Sequence, residues 1–239
     1  MRALAMLIKV VNEYAVTSVV DFMSKLNLMR ATLKTDGEPA IRALAQAVKE
    51  RRMTEERKET NLEEGSLKDS ASMGAVEGPI RWLQVRVRIF KLDLERRYGR
   101  KLTADEVLWT WLVRYTAWAS STFRVRADGK TAHESCYAIK YKGEVLPFGE
   151  TALFKVPASH TRQVTADRLQ HKGESTMIKG VWVGKHLESD DHLFLTPAGW
   201  HRARTVRRLE PRARADGALL NLCQGAPWDN RSVKPTGSE

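Results

Sequence analysis

The sequence has too few cysteines to build a disulfide framework or a thiolate zinc site. Its two cysteines, Cys136 and Cys223, stand alone, and the chain contains no Cys-x-x-Cys pair and no His-x-His pair. Small secreted domains and zinc modules both need such clustered residues. Both classes are therefore excluded, and we expect a reducing intracellular location, either nuclear or cytoplasmic.

Long hydrophobic runs are also absent. No apolar stretch approaches the roughly 18 residues that a membrane-spanning helix needs. Lys9 interrupts the short apolar stretch near the N-terminus, so we interpret residues 3–11 as a strand and not as a signal peptide. The sequence therefore predicts that no membrane is among the partners.

Acidic residues are scarce relative to basic ones: 29 Asp and Glu stand against 40 Lys and Arg, which gives a formal charge of +11. The hydrophobic fraction of 42% is ordinary for a globular protein, so the chain can still bury a core. An excess of positive charge favours polyanionic partners, nucleic acid first and an anionic membrane surface second. A soluble basic protein without such a partner has the same composition.

Hydrophobic spacing in the first third of the chain alternates between strand and helix patterns. After the strand at 3–11, we predict a helix over 13–27, a strand over 31–34 and a helix that begins near Pro39. This alternation is typical of an α/β fold. The predicted apolar faces of the two helices are formed by Val16, Val19, Val20, Met23, Leu26, Ile41, Leu44, Ala45 and Val48.

The later segments change in character. Residues 53–75 are polar and predict a short edge strand and a mobile loop, and helical patterns then cover about 79–98 and 103–122. In the second of these helices, Trp109, Trp111 and Trp118 are expected to pack in the core. Short strand-like runs at 151–156, 178–183, 192–196 and 203–209 predict a small β-barrel domain over 146–210. Residues 211–239 lack periodicity and predict a flexible tail.

Two acidic segments carry a family resemblance. Residues 33–41, Leu-Lys-Thr-Asp-Gly-Glu-Pro-Ala-Ile, and residues 72–77, Ser-Met-Gly-Ala-Val-Glu, resemble the second and third acidic positions of a retroviral-type integrase core. Residues 148–150, 180–185 and 204–208 are similar to the small β domain that follows this core in copia-like retrotransposon Pol polyproteins. The resemblance implies an N-terminally truncated RNase H-like core over 1–145, followed by an SH3-like β-barrel over 146–210.

The resemblance also implies a chemistry. Integrases move phosphoryl groups on DNA with two divalent metals, which their carboxylates hold. By this resemblance Asp36 and Glu77 are the catalytic residues and the ligands of Mg²⁺ or Mn²⁺. Carboxylate oxygens suit a hard cation, and two metals can stabilise both the attacking and the leaving oxygen. Taken alone, Asp36 would be a turn residue and Glu77 a solvated helix start.

Three departures from the family pattern lead us to expect loss of catalysis. The first acidic position of the family has no counterpart before Asp36, since Asp21 lies within a helical pattern. The central strand of the family's sheet has no counterpart either. Around Glu77 the family residues are replaced by Met73 and Gly78, with Pro79 next, so the helix is expected to begin only after Glu77.

Two groups of basic residues are predicted to bind DNA phosphates. Helical spacing places Arg81, Arg88 and Lys91 on one line with Glu77. Another face of this helix is expected to pack in the core and carries Ile80, Leu83, Val87, Phe90 and Leu94. The second group, Arg202, Arg204, Arg207 and Arg208, lies in the predicted strand 203–209 or beside it, and all of it except Arg207 would share one face.

Three hypotheses follow for function. The first is a fragment of a retrotransposon integrase that still binds nucleic acid but no longer integrates DNA. The second is a domesticated, non-enzymatic DNA- or RNA-binding protein. The third is an interaction module that self-associates through the Trp-rich helix.

Overall fold

The computed structural model describes residues 13–35, 38–64, 70–155 and 177–229. The chain divides into two compact units, residues 1–84 and residues 85–239. We expected the division at residue 145, but helical residues between 85 and 123 share one hydrophobic core with the strands that follow residue 150. The predicted strand at 3–11 lies outside the described residues. No helix in the described part of the chain is long and apolar enough to span a bilayer.

The first unit contains a parallel β-α-β arrangement. Helix α1 (Glu13–Lys25) precedes strand β1 (Arg30–Thr35), helix α2 (Pro39–Glu55) and strand β2 (Glu59–Glu64). The strands pair in parallel from Arg30↔Glu59 to Thr35↔Glu64, and α2 is the crossover between them. Val16, Val20, Met23 and Val48 form the buried core of this unit. The helix, strand, helix order predicted for residues 13–52 is confirmed.

A buried arginine connects the elements of this unit. The side chain of Arg52 is 0% exposed. It donates hydrogen bonds to Thr60 Oγ1 (2.6 Å) on β2 and to the carbonyl of Leu28 before β1. Its Nε lies 3.7 Å from Glu56, which also accepts a hydrogen bond from Ser24 at the end of α1. One guanidinium therefore ties α2 to both strands, and through Glu56 to α1.

We expect Arg52→Met to destabilise the first unit by about 3 kcal/mol, because it removes the donors on which Thr60 Oγ1 and the Leu28 carbonyl depend. The measurement is amide hydrogen exchange of peptides from residues 13–64. Arg42→Met is the matched control, since the Arg42–Glu64 pair is exposed and should contribute less than about 1 kcal/mol. Equal protection in the two variants would contradict this account.

Helix α3 (Ser70–Tyr98) begins earlier than expected. The expectation of a start after Glu77 was wrong, because Gly78 and Pro79 lie inside the helix. Pro79 removes one backbone donor. The segment before it contains Ala71, Met73 and Ala75, which are good helix formers and favour an earlier start.

The second unit is a five-stranded antiparallel sheet with helices packed on it. After α3 come α4 (Val107–Phe123) and the short α5 (Ala132–Tyr137). The strands are β3 (Thr151–Lys155), β4 (Met177–Lys185), β5 (His192–Thr196), β6 (Gly199–Ala203) and β7 (Val206–Arg208), in the order β6-β5-β4-β3-β7. Trp111 and Leu112 of α4 share the core with Phe154, Trp182 and Phe194 of the sheet. Trp111 is buried as predicted, and Trp109 and Trp118 pack partly buried against the same core.

The sheet is strongly curved but does not close into the expected barrel. Only Arg204 and Thr205 separate β6 from β7, so the facing strand ends are at most about 11 Å apart. A flat five-stranded sheet would hold its two edge strands about 19 Å apart. The short link therefore requires curvature, although no pairing between β6 and β7 occurs among the described residues. The fold is mixed α/β with an open antiparallel sheet.

The segment expected to be a flexible tail is folded as far as Asp229. A 3₁₀ turn (Pro211–Ala213) leads to helix α6 (Gly217–Leu222), whose Leu220 is buried together with Cys223. The indole Nε1 of Trp111 donates to the carbonyl of Gly225 over 2.8 Å. This segment contributes buried side chains to the core, although its sequence shows no long-range periodicity. Residues 230–239 lie outside the described part.

A buried polar group occupies the β4–β5 hairpin. Trp182 Nε1 donates to His192 Nδ1 (3.1 Å), which places the proton of the neutral imidazole on Nε2. Lys185 Nζ lies 3.4 Å from that Nε2 and 3.2 Å from Asp190 Oδ2. Burial first, and the neighbouring Lys185 second, lower the pKa of His192 to about 4. His192 is therefore neutral in the folded protein at neutral pH.

We expect this histidine to make the second unit less stable in acid. In the unfolded chain a histidine has a pKa of about 6.5, so between pH 6.5 and about 4 the unfolded state binds a proton that the folded state excludes. The free energy of unfolding should fall through this window by up to about 3 kcal/mol.

His192→Gln supplies the comparison, because the amide can accept from Trp182 but does not titrate. Urea unfolding followed by tryptophan fluorescence at several pH values should show a shallower pH dependence in this variant. The same pH dependence in both proteins would show that His192 titrates normally.

Candidate nucleic-acid interface

The expected metal site falls only partly on described residues. Asp36 lies outside the described part of the chain, so its predicted approach to Glu77 stays a prediction. Glu77 is exposed within α3. Among the described residues, no group of three or more His, Cys, Asp or Glu side chains could hold a metal ion. These residues therefore do not by themselves supply a two-metal site.

A cleft of about 400 Å³ lies at the carboxyl ends of β1 and β2. Its lining includes Thr35, which immediately precedes Asp36 in the sequence, together with Glu63 and Glu64. In α/β sheets ligands often bind at this edge. Here, however, each carboxylate faces a cation: Glu63 lies 2.9 Å from Lys34, and Glu64 lies 3.2 Å from Arg42. Neither glutamate is an uncommitted acidic ligand.

The predicted basic line on α3 is reduced to two arginines. Arg81 and Arg88 are exposed and form no salt bridge with any described residue. Lys91 instead pairs with Glu95 one turn later. In the predicted core stripe, Val87 and Leu94 are buried, Leu83 and Phe90 are partly buried, and Ile80 is half exposed.

The second predicted group does not form one face. Arg202 lies in β6 and Arg208 in β7, the two opposite edge strands, because the predicted strand 203–209 is broken between Ala203 and Val206. Arg202 donates to Asp191 (2.9 Å) and to Ser189. Burial raises the pKa of Asp191, but the hydrogen bonds from Ser189 and Arg202 outweigh it, so the pKa is lowered overall.

Arg208 has a structural partner. It donates two hydrogen bonds to Glu150, at 2.6 and 2.7 Å, and Glu150 is only 2% exposed. This bidentate bond to Glu150 raises the pKa of Arg208 above its ordinary value. Arg214 approaches the same carboxylate at 3.8 Å. Because Arg208 neutralises a buried acid, it is committed to the fold more than to a ligand.

Two members of the second group remain accessible. The side chain of Arg204 is 90% exposed, and its Nε lies 3.6 Å from Asp191 Oδ1. Arg207 is exposed and forms no salt bridge with a described residue. It lies opposite Leu153 of β3, which in turn lies opposite Lys179 of β4. Directly paired residues share a face, so Arg207, Leu153 and Lys179 form one row across three strands.

Lys155 extends this surface. Ala152 and Phe154 are fully buried on the inner face, so the alternating Leu153 and Lys155 lie on the outer face. Lys155 is exposed. We call Lys155, Lys179 and Arg207 the outer cationic row. Lys179 is partly neutralised by Asp216 at 3.3 Å.

Sequence reasoning missed Lys155 and Lys179. The only available signal was the period-two pattern within each strand, which shows faces but not which strands pair. The register that brings these lysines beside Arg207 is a long-range property. A comparison with protein-family models, curated proteins and solved structures finds no match for this chain.

Proposed function

We propose that this chain binds duplex DNA without sequence preference, through the outer cationic row, and that it derives from an integrase-type polyprotein. One observation carries the binding proposal. Arg207 and Lys155 are exposed cations on the outer face of adjacent strands, with no salt bridge to a described residue. Within the outer cationic row, Lys179 is partly neutralised by Asp216, so Arg207 and Lys155 are the cations of this row that are available to phosphates.

The physical basis is electrostatic. A row of cations beside a phosphate backbone releases condensed counterions from DNA, and this supplies affinity that depends on salt and not on base sequence. Arg204, in the link between β6 and β7, adds a further exposed guanidinium on the same chain segment. Nothing in this surface selects one base over another, since it presents no element shaped to enter a groove.

Two arrangements support the proposed ancestry. Strands β1 and β2 pair in parallel and are joined by α2. Strand β1 ends at Thr35, so Asp36 directly follows it, as expected for the second acidic position of an RNase H-like core. A curved antiparallel sheet follows the helices, in the place where an SH3-like domain is expected. Both agree with the collinear resemblance of the sequence to copia-like integrases, and the RNase H-like and SH3-like assignments belong to the proposal.

Divalent metal enters the proposal only as an expectation. Mg²⁺ or Mn²⁺ would supply Lewis-acid activation of a phosphodiester in an integrase. The described residues offer Glu77 without two companions, so no catalytic step is assigned to them. Binding is the activity that the described side chains support.

For the binding surface we predict that Lys155→Ala with Arg207→Ala flattens the salt dependence. The slope of log K against log salt should decrease by about 0.9 for each phosphate that the variant no longer neutralises, hence by about 2 in the double variant. The measurement is a fluorescence anisotropy titration of two unrelated duplexes at several salt concentrations, in which both should lose affinity equally.

Arg202→Ala is the matched control. It also removes a positive charge, but from a side chain already paired with Asp191, so the slope should stay nearly unchanged. An unchanged slope in the double variant, or an equal decrease in the control, would refute the outer cationic row as the binding surface.

We also predict that duplex binding does not need divalent metal. Replacing Mg²⁺ by EDTA at constant ionic strength should leave the dissociation constant within about twofold, because cationic side chains need no bridging metal. With Mg²⁺ or Mn²⁺, nicking of supercoiled plasmid should stay undetectable. Metal-dependent nicking that disappears in both Asp36→Asn and Glu77→Gln would show instead that a catalytic site is assembled.

A further inference from the structure

A patch of large side chains is exposed between the end of α4 and the segment after α5. Phe123, Val125, Tyr137 and Ile139 are exposed by 49, 63, 57 and 64%, respectively. They lie within 17 positions of one another in a charged part of the chain. Exposed apolar groups in such a cluster usually mark an interaction surface.

The two aromatic side chains of this patch, Phe123 and Tyr137, belong to a chain of four rings in contact. Phe123 lies against Tyr141 with ring centroids 5.6 Å apart, Tyr141 against His133 at 5.5 Å, and His133 against Tyr137 at 4.8 Å. Trp118 of α4 supports Phe123 and Tyr141 from the core side, at 5.6 and 5.7 Å. Phe123, His133, Tyr137 and Tyr141 constitute what we call the aromatic patch.

The aromatic patch is held in place by specific contacts. The hydroxyl of Tyr141 donates to Asp190 Oδ1 over 2.7 Å, and burial raises the pKa of this tyrosine. Helix α5 begins with a capping box in which Thr131 and Glu134 exchange hydrogen bonds. Val125 and Thr131 form an isolated antiparallel bridge across the intervening turn. The rings therefore need little reorganisation before a ligand binds.

Lysines flank the ring-bearing residues along the chain. Lys130, Lys140 and Lys142 are exposed and form no salt bridge with a described residue. The two carboxylates between residues 123 and 142 are already engaged: Asp128 pairs with Arg126 at 2.9 Å, and Glu134 is bound in the capping box. A ligand that fits this surface must combine flat apolar faces with negative charge.

We propose that the aromatic patch binds single-stranded nucleic acid, with unpaired bases stacked on Phe123 and Tyr137 and phosphates near the lysines. Duplex DNA keeps its base faces stacked on one another, so it cannot offer them to these rings, whereas a single strand can. This inference is independent of the proposed duplex binding, because it uses different side chains and a different part of the ligand.

The test is a titration of a labelled deoxythymidine oligonucleotide with the full chain. Tyr137→Leu and Phe123→Leu keep apolar bulk but remove the ring, and each should weaken binding by roughly 5- to 100-fold at every salt concentration. The slope of log K against log salt should not change in these variants. Tyr137→Phe keeps the ring and should bind like the wild type.

The lysines should behave in the opposite way. Lys140→Ala with Lys142→Ala should reduce the slope by about 1.4, since each phosphate neutralised on a single strand contributes about 0.7. Lys155→Ala with Arg207→Ala should leave single-strand binding unchanged. Suppose that Lys155→Ala with Arg207→Ala leaves the affinity and salt slope of both duplex and single-strand binding unchanged, while Tyr137→Leu weakens single-strand binding. Duplex binding by the outer cationic row is then refuted and the present inference stands.

Two outcomes would overturn the inference. One is oligonucleotide binding by the leucine variants that equals the wild type, with circular dichroism showing that all proteins are folded. The other is binding to vesicles containing phosphatidylserine that depends on Phe123 and Tyr137 while oligonucleotide binding does not. The second outcome would identify an anionic membrane surface as the ligand of the aromatic patch.

Discussion

The two-residue link between β6 and β7 is the constraint on which the second unit depends. Two residues, Arg204 and Thr205, cannot span a flat sheet of five strands. The sheet must therefore curve enough for β7 to follow β6 directly in the chain and still pair with β3 at the opposite edge. An irregularity in the β4–β5 register between Trp182 and Gly184 provides part of this curvature, with Gly184 at a φ of 129° that side-chain-bearing residues rarely adopt. The inner face of the sheet shares one hydrophobic core with the apolar side chains of α4. The same curvature places β7 beside β3, so the Glu150–Arg208 pair forms there and the outer cationic row extends from β7 across β3 to β4.

Strand alternation gives two neighbouring arginines opposite roles. Arg208 pairs with Ala152 in the register and lies on its side of the sheet, where it meets the buried carboxylate of Glu150. Arg207 pairs with Leu153 and lies on the outer face. A carboxylate that is 2% exposed would be costly without a cation, so Arg208 is required for the fold before any ligand is considered. Cations outside this pair also differ in whether a carboxylate neutralises them. Arg202 and Lys91 have carboxylate partners, whereas Arg88 forms no salt bridge with a described residue. A net charge of +11 therefore overstates the charge available to a polyanion.

Local pattern was enough to predict the helix, strand, helix order of residues 13–52 and part of the core of the second unit. Helical spacing identified Val16, Val20, Met23 and Val48, and a tryptophan in an apolar helix, Trp111, was rightly assigned to the core.

The predictions failed where contacts between residues distant in the sequence determine the structure. Residues 203–209 look like one strand, but a bend at Arg204 divides them between opposite edges of the sheet. Residues 211–229 fold because they pack on α4 and β4–β5, which no local pattern reports. The strand register that assembles the outer cationic row was out of reach for the same reason, and the approach of Asp36 to Glu77 stays a prediction.

The two proposed surfaces would respond differently to ionic strength, and this difference bears on what the protein can bind in a cell. At physiological salt the Debye length is about 8 Å, so a row of so few exposed cations attracts duplex DNA only weakly. Stacking on Phe123 and Tyr137 is short-ranged and is not screened by salt. Phosphate contacts also tolerate small errors of position, whereas stacking needs rings fixed in advance, which agrees with the support that Trp118 and Asp190 give to the aromatic patch. As salt rises, preference should therefore shift from duplexes toward partly unwound or single-stranded segments. Such a shift requires no metal ion, and it depends only on side chains that the structure places on the surface.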